Sequence, residues 1–304
     1  MRVTVLGGFG VGKTMVLDRV PAVGETVTGG RYVEGPGGKA SNQAIQISRL
    51  GGEVALISAV GDDSAAALGR ELWRREGVDA RGVITVGAPT MVGFILVEPG
   101  GDNRIALAPG ALEALTPESL ESLWDLIDTS DALVVSFELN PEVGFSALRY
   151  AKARGVMTVC NPAPAVPIPT EVLECIDYLV PNAIEARDIV RTLGVTSGGP
   201  EDSARVLLHH GVGTVIITLG AQGAYARNAQ ESFYSSAHQV EHVRDTTGAG
   251  DSFVGALVVA LVKRLPLKEA ISRGSAAAAF TVQGLEVVAS LPYEKDLIPG
   301  GGTL

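Results

Sequence analysis

Four short apolar runs in the second half of the chain, DALVVS (131–136), GVMTVC (155–160), DYLVP (177–181) and GTVIITLG (213–220), have no polar face. A strand without a polar face must be covered on both sides, as strands inside a parallel sheet are. Between the runs lie PEVGFSALRYAKARG, AIEARDIVRTLG and EDSARVLLHHG, which carry apolar residues at helical spacing and close with Gly. Strand and helix in series imply an α/β fold: a doubly wound, mainly parallel sheet with helices on both faces.

The first half reads differently. VTGGRYVEG, RGVITVGAP, TMVGFILVEPGG and DNRIALAPG are short, Gly-punctuated and partly alternating, as antiparallel hairpin strands are, with PGGDN as a turn. A small β-sheet inserted into the α/β core, over roughly residues 12–36 and 83–110, accounts for them within a single domain spanning 1–304. The closing GGG reads as a frayed end.

Lysines and arginines number 24 against 34 acidic residues, a formal charge of −10, and no basic block interrupts the pattern. Binding to a nucleic acid through phosphate neutralisation is therefore not expected, and any anionic ligand has to be held locally. The run VGALVVALV is far shorter than a membrane span, and Gly7 to Gly12 interrupt the apolar start that a secretion signal needs. Cys160 and Cys175 lack metal or redox spacing and read as inert core thiols. His209, His210, His238 and His242 form no two-plus-two ligand pattern and read as surface residues. These features point to a cytoplasmic protein in a reducing compartment, with neither a nucleic-acid nor a membrane partner.

The opening GGFGVGKT, Gly7 to Thr14, fits the phosphate-loop pattern G-x-x-x-x-G-K-[ST] with no mismatch. Such a loop works only if a helix begins at the Lys-Ser/Thr pair and points its N–H groups at the anion. Here Pro21 and Gly24 follow closely, Val16, Val20 and Val23 are strand formers, and DALVVSFE offers only Glu138 as an acidic magnesium partner. A glycine-rich bend after the first strand, MRVTVL, is the better reading.

Chemistry concentrates in two other segments. In RDTTGAGDSFVGALVVALVKRL, Gly248, Ala249 and Gly250 put backbone N–H groups at the start of a long apolar helix, a geometry that stabilises developing phosphate charge. Asp251 in that first turn would repel a resident anion, but it makes sense as a general base that takes a proton from an attacking hydroxyl. A helix cap with a tight turn is the alternative on these residues alone. In EGPGGKASNQAIQISRLGG, Gly37 and Gly38 open a helix whose first turns carry Lys39, Ser41 and Asn42; a Gly start with a solvated Lys is the alternative there.

Taken together, GGKASNQAIQISRLGG, NPAPA (161–165), PNAIEA (181–186), TLGAQG (218–223) and DTTGAGDSFVGAL follow one order along the chain. In these motifs, and nearly end to end, the chain resembles the ribokinase-like (PfkB-type) carbohydrate kinases. The resemblance implies a ribokinase-like α/β fold in which the small β-sheet is a lid. It implies ATP as phosphoryl donor with Mg2+, and K+ as a further cation. It makes Asp251 the base and the backbone around Gly248, Ala249 and Gly250 the anion hole. Gly37, Gly38, Lys39, Asn42, Asp245 and Glu138 fall on the sugar side, a plain strand-end carboxylate being the alternative for Glu138. Asn182 and Glu185 organise magnesium and its waters around the nucleotide, a helix N-terminal turn with an exposed carboxylate being the alternative, with Thr218, Gly220 and Gly223 in the loop that meets ATP. Asp245, Thr247 and, more weakly, Ser290 fall near a monovalent cation.

The chain departs from the family at one place. The family's first strand runs into an Asn-x-Asp pair that hydrogen-bonds sugar hydroxyls, and the corresponding positions here are Gly10 and Gly12. A lost charge-assisted hydrogen bond costs about 1.5–3 kcal/mol, which weakens ribose and favours a bulkier, differently oriented or anionic acceptor, with Lys13 nearby to offer a cation. The leading expectation is thus an ATP-dependent kinase acting on a hydroxyl of a small sugar, polyol or sugar derivative. The alternatives are a nucleoside kinase of the same fold, a P-loop NTPase using Gly7 to Thr14, and a non-catalytic sugar-binding member. Apolar lid strands such as TMVGFILVE suggest a homodimer in which lids pair.

Overall fold

In the computed structural model, which describes residues 1–98 and 103–297, the four apolar runs of the second half form neighbouring strands of one sheet. The strands are β1 (Arg2–Leu6), β2 (Gly10–Val16), β3 (Arg31–Gly37), β4 (Glu53–Val60), β5 (Val78–Thr85), β6 (Met91–Val97), β7 (Asn103–Ala108), β8 (Ala132–Ser136), β9 (Met157–Asn161), β10 (Tyr178–Leu179), β11 (Thr214–Thr218), β12 (Ala224–Arg227) and β13 (Ser232–Ser235). The helices are α1 (Lys39–Arg49), α2 (Ser64–Glu76), α3 (Trp124–Asp128), α4 (Pro141–Ala153), α5 (Thr170–Leu173), α6 (Ala183–Thr192), α7 (Pro200–His209), α8 (Ala249–Val262), α9 (Leu267–Thr281) and α10 (Val287–Ser290). The turn expected at PGGDN and the frayed end expected at GGG lie outside the described residues.

The large sheet has the order β13-β12-β11-β10-β9-β8-β1-β4-β5 and is parallel from β11 to β5, with β12 and β13 antiparallel at one edge. Its inner strands are apolar on both faces because both are covered. Val3 and Val5 of β1, Leu56 of β4 and Val134 of β8 point into a core shared with α1, α2, α8 and α9. Leu6, Ile57, Leu133 and Val135 point the other way, against α4, α6 and α7. Helix α8 is buried from Asp251 to Leu261 and packs against α1 and α9, which explains its uninterrupted apolar sequence.

The small sheet has the order β3-β2-β6-β7. Its outer pairs are antiparallel, as expected of hairpins, but β2 and β6 run parallel, because the chain reaches β6 only after passing through α1, β4, α2 and β5. Two further expectations are corrected. RGVITVGAP is not a lid strand: residues 78–85 form β5, the parallel edge strand of the large sheet. Its partial alternation comes from that edge position, where one neighbour and one side are missing. The phosphate-loop reading also fails, since Lys13 and Thr14 lie inside β2 and no helix begins there. Strand alternation sets Lys13 on the face opposite Gly10 and Gly12, and its Nζ lies 4.0 Å from Glu34. Cys160 is buried as expected, whereas Cys175 is only half-buried.

Asp63 ties the small sheet to the large domain. Its carboxylate caps α2 through Ala66 N–H at 2.8 Å and accepts from Thr90 N–H at 2.8 Å and the Thr90 hydroxyl at 2.7 Å, just before β6. Among the described residues no helix is long and apolar enough to cross a membrane.

Candidate active site

From β1 the chain moves to β4 and β5 on one side of the sheet and later returns to β8 on the other. Ligands in open α/β sheets bind beyond the carboxyl ends of the strands at such a reversal. Gly7 and Gly8 leave β1 there, and Phe137 and Glu138 leave β8. A Cβ on Gly8 would lie 2.8 Å from Glu138 Cβ, so only glycine lets the two strand ends approach this closely. Gly38 is needed twice over: its φ is +95°, and a Cβ would lie 2.6 Å from Phe9 Cα. This close approach starts α1 over the strand ends, with Lys39 N–H donating to Glu138 Oε2 at 2.6 Å.

Helix α8 enters from the other side. Gly248 turns the chain at φ +81°, where a side chain would collide with Val287, and Asp251 sits in the first helical turn. Its carboxylate does not cap its own helix. Asn42 Nδ2 donates to Asp251 Oδ2 at 2.8 Å, and Gln43 Nε2 donates to Asp251 Oδ1 at 3.2 Å. Gly255, one turn on, makes this possible: a Cβ there would lie 2.7 Å from Gln46 Cβ and Cγ, so the bare position lets α8 lie against α1. Asp251 is 7% exposed, which explains why two amides on α1 are spent on it.

The charges are coupled through this crevice. Burial pushes the Asp251 carboxyl up, and the Lys39 ammonium with the Asn42 and Gln43 donors holds it back. Burial works to lower Lys39, but the Asp251, Glu138 and Glu185 carboxylates outweigh it and leave the ammonium above its ordinary value. Glu138 is pushed up to about 7, chiefly by burial, against the Lys39 charge and its backbone N–H. Burial also raises Glu185. A buried carboxylate with directed donors, beside a firmly charged lysine, can accept a proton from a hydroxyl.

Asn182 and Glu185 close a capping box at the start of α6, Asn182 N–H donating to Glu185 Oε2 at 2.8 Å. Asn182 pairs with Thr218 at the end of β11, and a cleft of about 250 Å³ opens beside them, lined by Asn182, Ala183, Ile184, Thr218, Leu219 and Gln222. Gly220 has open space at its α-carbon, whereas Gly223 is buried and closes the turn into β12. At the positions expected to form an anion hole, Gly250 faces open space, and Ala249 N–H reaches the Thr246 carbonyl at 3.3 Å. Asp245 accepts from Thr247 N–H at 2.9 Å and from its hydroxyl at 2.6 Å. Ser290 is buried, and its hydroxyl donates to the Leu285 and Glu286 carbonyls.

Gly10 and Gly12 lie on β2 opposite Gly37 and Gly35 of β3. They are not equivalent. A Cβ at Gly10 would strike the Met91 carbonyl and lie 2.8 Å from Met91 Cε, whereas at Gly12 the nearest atom is Ile95 Cδ1 at an ordinary 3.6 Å. Gly12, Gly35 and Gly93 stand in one cross-strand row, so the small sheet is bare backbone at these three positions.

Gln43, Asn161 and Gly255 were not singled out from the sequence. Gln43 follows Asn42 directly, Asn161 opens NPAPA at the end of an apolar strand, and Gly255 interrupts an apolar helix. Each has a local signal, but their meeting at Asp251 depends on the packing of α1, β9 and α8.

Comparison with known proteins agrees with this fold. The chain is 37% identical to the ribokinase of Staphylococcus aureus (strain COL), over 97% of this chain and 98% of that protein. The crystal structure of ribokinase from Thermotoga maritima matches with a TM-score of 0.90 and 30% identity, covering 97% of each chain. The Arabidopsis thaliana ribokinase complexed with ribose and ATP matches with a TM-score of 0.88 and 25% identity, over 97% of this chain and 96% of that one. The model of the pfkB family carbohydrate kinases matches residues 10–293. The chain therefore belongs to the pfkB family of carbohydrate kinases, phosphotransferases whose acceptor is an alcohol group.

Proposed function

We propose that this kinase transfers the γ-phosphoryl group of ATP to a hydroxyl of a small sugar, with ribose the first candidate and Asp251 as the general base. The observation that carries the reading is the buried Asp251 carboxylate, bonded by Asn42 and Gln43 in the first turn of α8, beside the charged Lys39. The acceptor hydroxyl gives its proton to Asp251, and the backbone N–H groups around Gly248, Ala249 and Gly250 stabilise the charge on the phosphoryl group. Lys39, Asn42 and Glu138 orient the acceptor together with Gly37, Gly38 and Asp245. The cleft beside Asn182 and Thr218, with the open backbone at Gly220, suits a nucleotide.

Among the described residues no three carboxylate, histidine or cysteine side chains gather into a metal cage. Magnesium bound mainly by phosphates and water needs none, and Glu185 would hold its waters and supply charge neutralisation near the phosphates. Asp245, Thr247 and Ser290 would hold a potassium ion. Phe94 of the small sheet is 55% exposed, which supports lid-to-lid pairing in a homodimer, to be checked by light scattering. A cytoplasmic setting follows from the supply of ATP.

A second reading, a bulkier sugar derivative or a nucleoside, is favoured by the bare row of Gly12, Gly35 and Gly93. The test is ADP release with magnesium and potassium against pentoses, hexoses, polyols, sugar acids and nucleosides. Turnover with ribose supports the first reading, and turnover with larger acceptors alone supports the second. ATP hydrolysis indifferent to any acceptor contradicts both.

A further inference from the structure

Gln43 is fully buried, and both hydrogen-bonding directions of its amine are used. Its Nε2 donates to Asp251 Oδ1 at 3.2 Å and to Asn161 Oδ1 at 3.0 Å, and Asn161 Nδ2 donates to the Val180 carbonyl at 2.8 Å. The polarity of this chain is set from one end. A carbonyl can only accept, so Asn161 must turn its amine to Val180, which leaves its oxygen towards Gln43. Gln43 must then present its amine at the junction, and Asp251 receives a donor. Gln43 Oε1 is left buried without a partner, because turning the amide over would set that oxygen against two acceptors. The chain joins the end of β9 and the segment after β10 to α1 and α8, so one backbone carbonyl fixes the orientation of a side chain two residues away in the network.

We propose that Gln43 is the positioning residue of the phosphoryl-transfer site: anchored through Asn161 to the Val180 carbonyl, it holds Asp251 in one rotation and in its proton-accepting form. This role rests on the reading of Asp251 as the base. The other charged groups facing Asp251 are Lys39 at the start of α1, which favours the carboxylate, and Glu138 after β8 and Glu185 on α6, which oppose it. Gln43 and Asn161 are neutral, so their effect comes from direction and not from charge.

The experiment is a carbon-13 NMR titration of the Asp251 carboxyl in the full chain, assigned with Asp251→Asn, for the wild type, Gln43→Met and Asn161→Ala. Gln43→Met keeps the length of the side chain and removes the donor; Asn161→Ala leaves Gln43 in place and frees it to turn. The expected result is an upward shift of the Asp251 titration by about one pH unit, a tenfold change in its protonation, in Gln43→Met. A smaller upward shift is expected in Asn161→Ala. The acid limb of kcat/KM moves by the same amount, kcat falls about tenfold and the KM for ATP stays within twofold. A folded Gln43→Met that titrates like the wild type overturns the role of Gln43, and a folded Asn161→Ala that does so overturns the anchor. If the wild type phosphorylates no acceptor, the reading of Asp251 as base fails while the titration still decides whether Gln43 controls its proton.

Discussion

Gly255→Ala is the perturbation that most sharply tests how packing builds the site. A methyl group at this position would lie 2.7 Å from Gln46 Cβ and Cγ and 3.3 Å from the Gln43 carbonyl. Carbon atoms in contact settle at about 3.5–4.0 Å, so α8 and α1 must part by about 1 Å. The atoms in the way belong to the base of a buried side chain and to backbone, so they cannot swing aside. The same movement acts one turn away on the Asn42–Asp251 and Gln43–Asp251 bonds, now 2.8 and 3.2 Å, and carries at least the longer one beyond bonding range. Overpacking costs about 1–3 kcal/mol, the weakened bonds to a charged group about 1.5–3 kcal/mol, and better helix propensity returns about 1 kcal/mol. The net loss is about 1.5–5 kcal/mol, or about 2–8 °C in Tm at an unfolding entropy of about 2.1 cal/mol/K per residue. Calorimetry reads the stability, and kcat at saturating acceptor is expected to fall at least tenfold. Gly250→Ala is the contrast for stability: nothing lies near a Cβ there, so its Tm should not fall. A Gly255→Ala protein that melts within a degree of the wild type and keeps its kcat would refute the claim that this glycine sets the helix contact.

Other expectations follow from the same geometry. Gly12→Asp has room and should leave Tm nearly unchanged while moving the acceptor preference towards ribose about tenfold, whereas Gly10→Asn meets Met91 and should lose about 1–3 kcal/mol in denaturant unfolding. Unchanged stability in both, or loss in both, contradicts the difference between the two positions. Glu138 rises from 4.5 to about 7 on folding, so the native state binds its proton more tightly. Its contribution to stability is greatest below pH 4.5 and is lost as the pH climbs to about 7. Glu138→Gln should therefore raise Tm relative to the wild type at pH 8 but not at pH 4.5, and it should weaken acceptor binding; an equal gain at both pH values is the contrary result. Lys13→Ala should leave the KM for ATP within twofold, because Lys13 lies on a strand of the small sheet beside Glu34. Loss of nucleotide binding in that variant would revive the phosphate loop.

The parts of this fold that can be read from sequence are those where local pattern and burial coincide. Strands β8, β9 and β11 are covered on both faces, so they appear as continuous apolar runs, and the helices between them announce themselves by spacing and a closing glycine. Strand β5 is misleading because an edge strand is only partly covered and so resembles a hairpin strand. Strand β2 is hidden by its glycines and its lysine, which imitate a phosphate loop, and its parallel pairing with β6 depends on residues far away in the chain. The candidate site divides in the same way. Asp251 stands out as a carboxylate where an anion-binding turn should have none, whereas Gln43 looks like any helical amide until α1 is placed against α8. The contrast between Gly10 and Gly12 depends on Met91 and Ile95 of another strand and cannot be seen in either glycine.

The most direct test of the account is a single-turnover comparison of the wild type and Asp251→Asn with ATP, magnesium and the best acceptor. Asparagine keeps the size of the side chain and removes the base. The rate of phosphoryl transfer should fall by about 10²–10⁴, with ATP and acceptor still binding within severalfold. Transfer that continues at the wild-type rate in Asp251→Asn would contradict the assignment of the base and, with it, the mechanism proposed for this site.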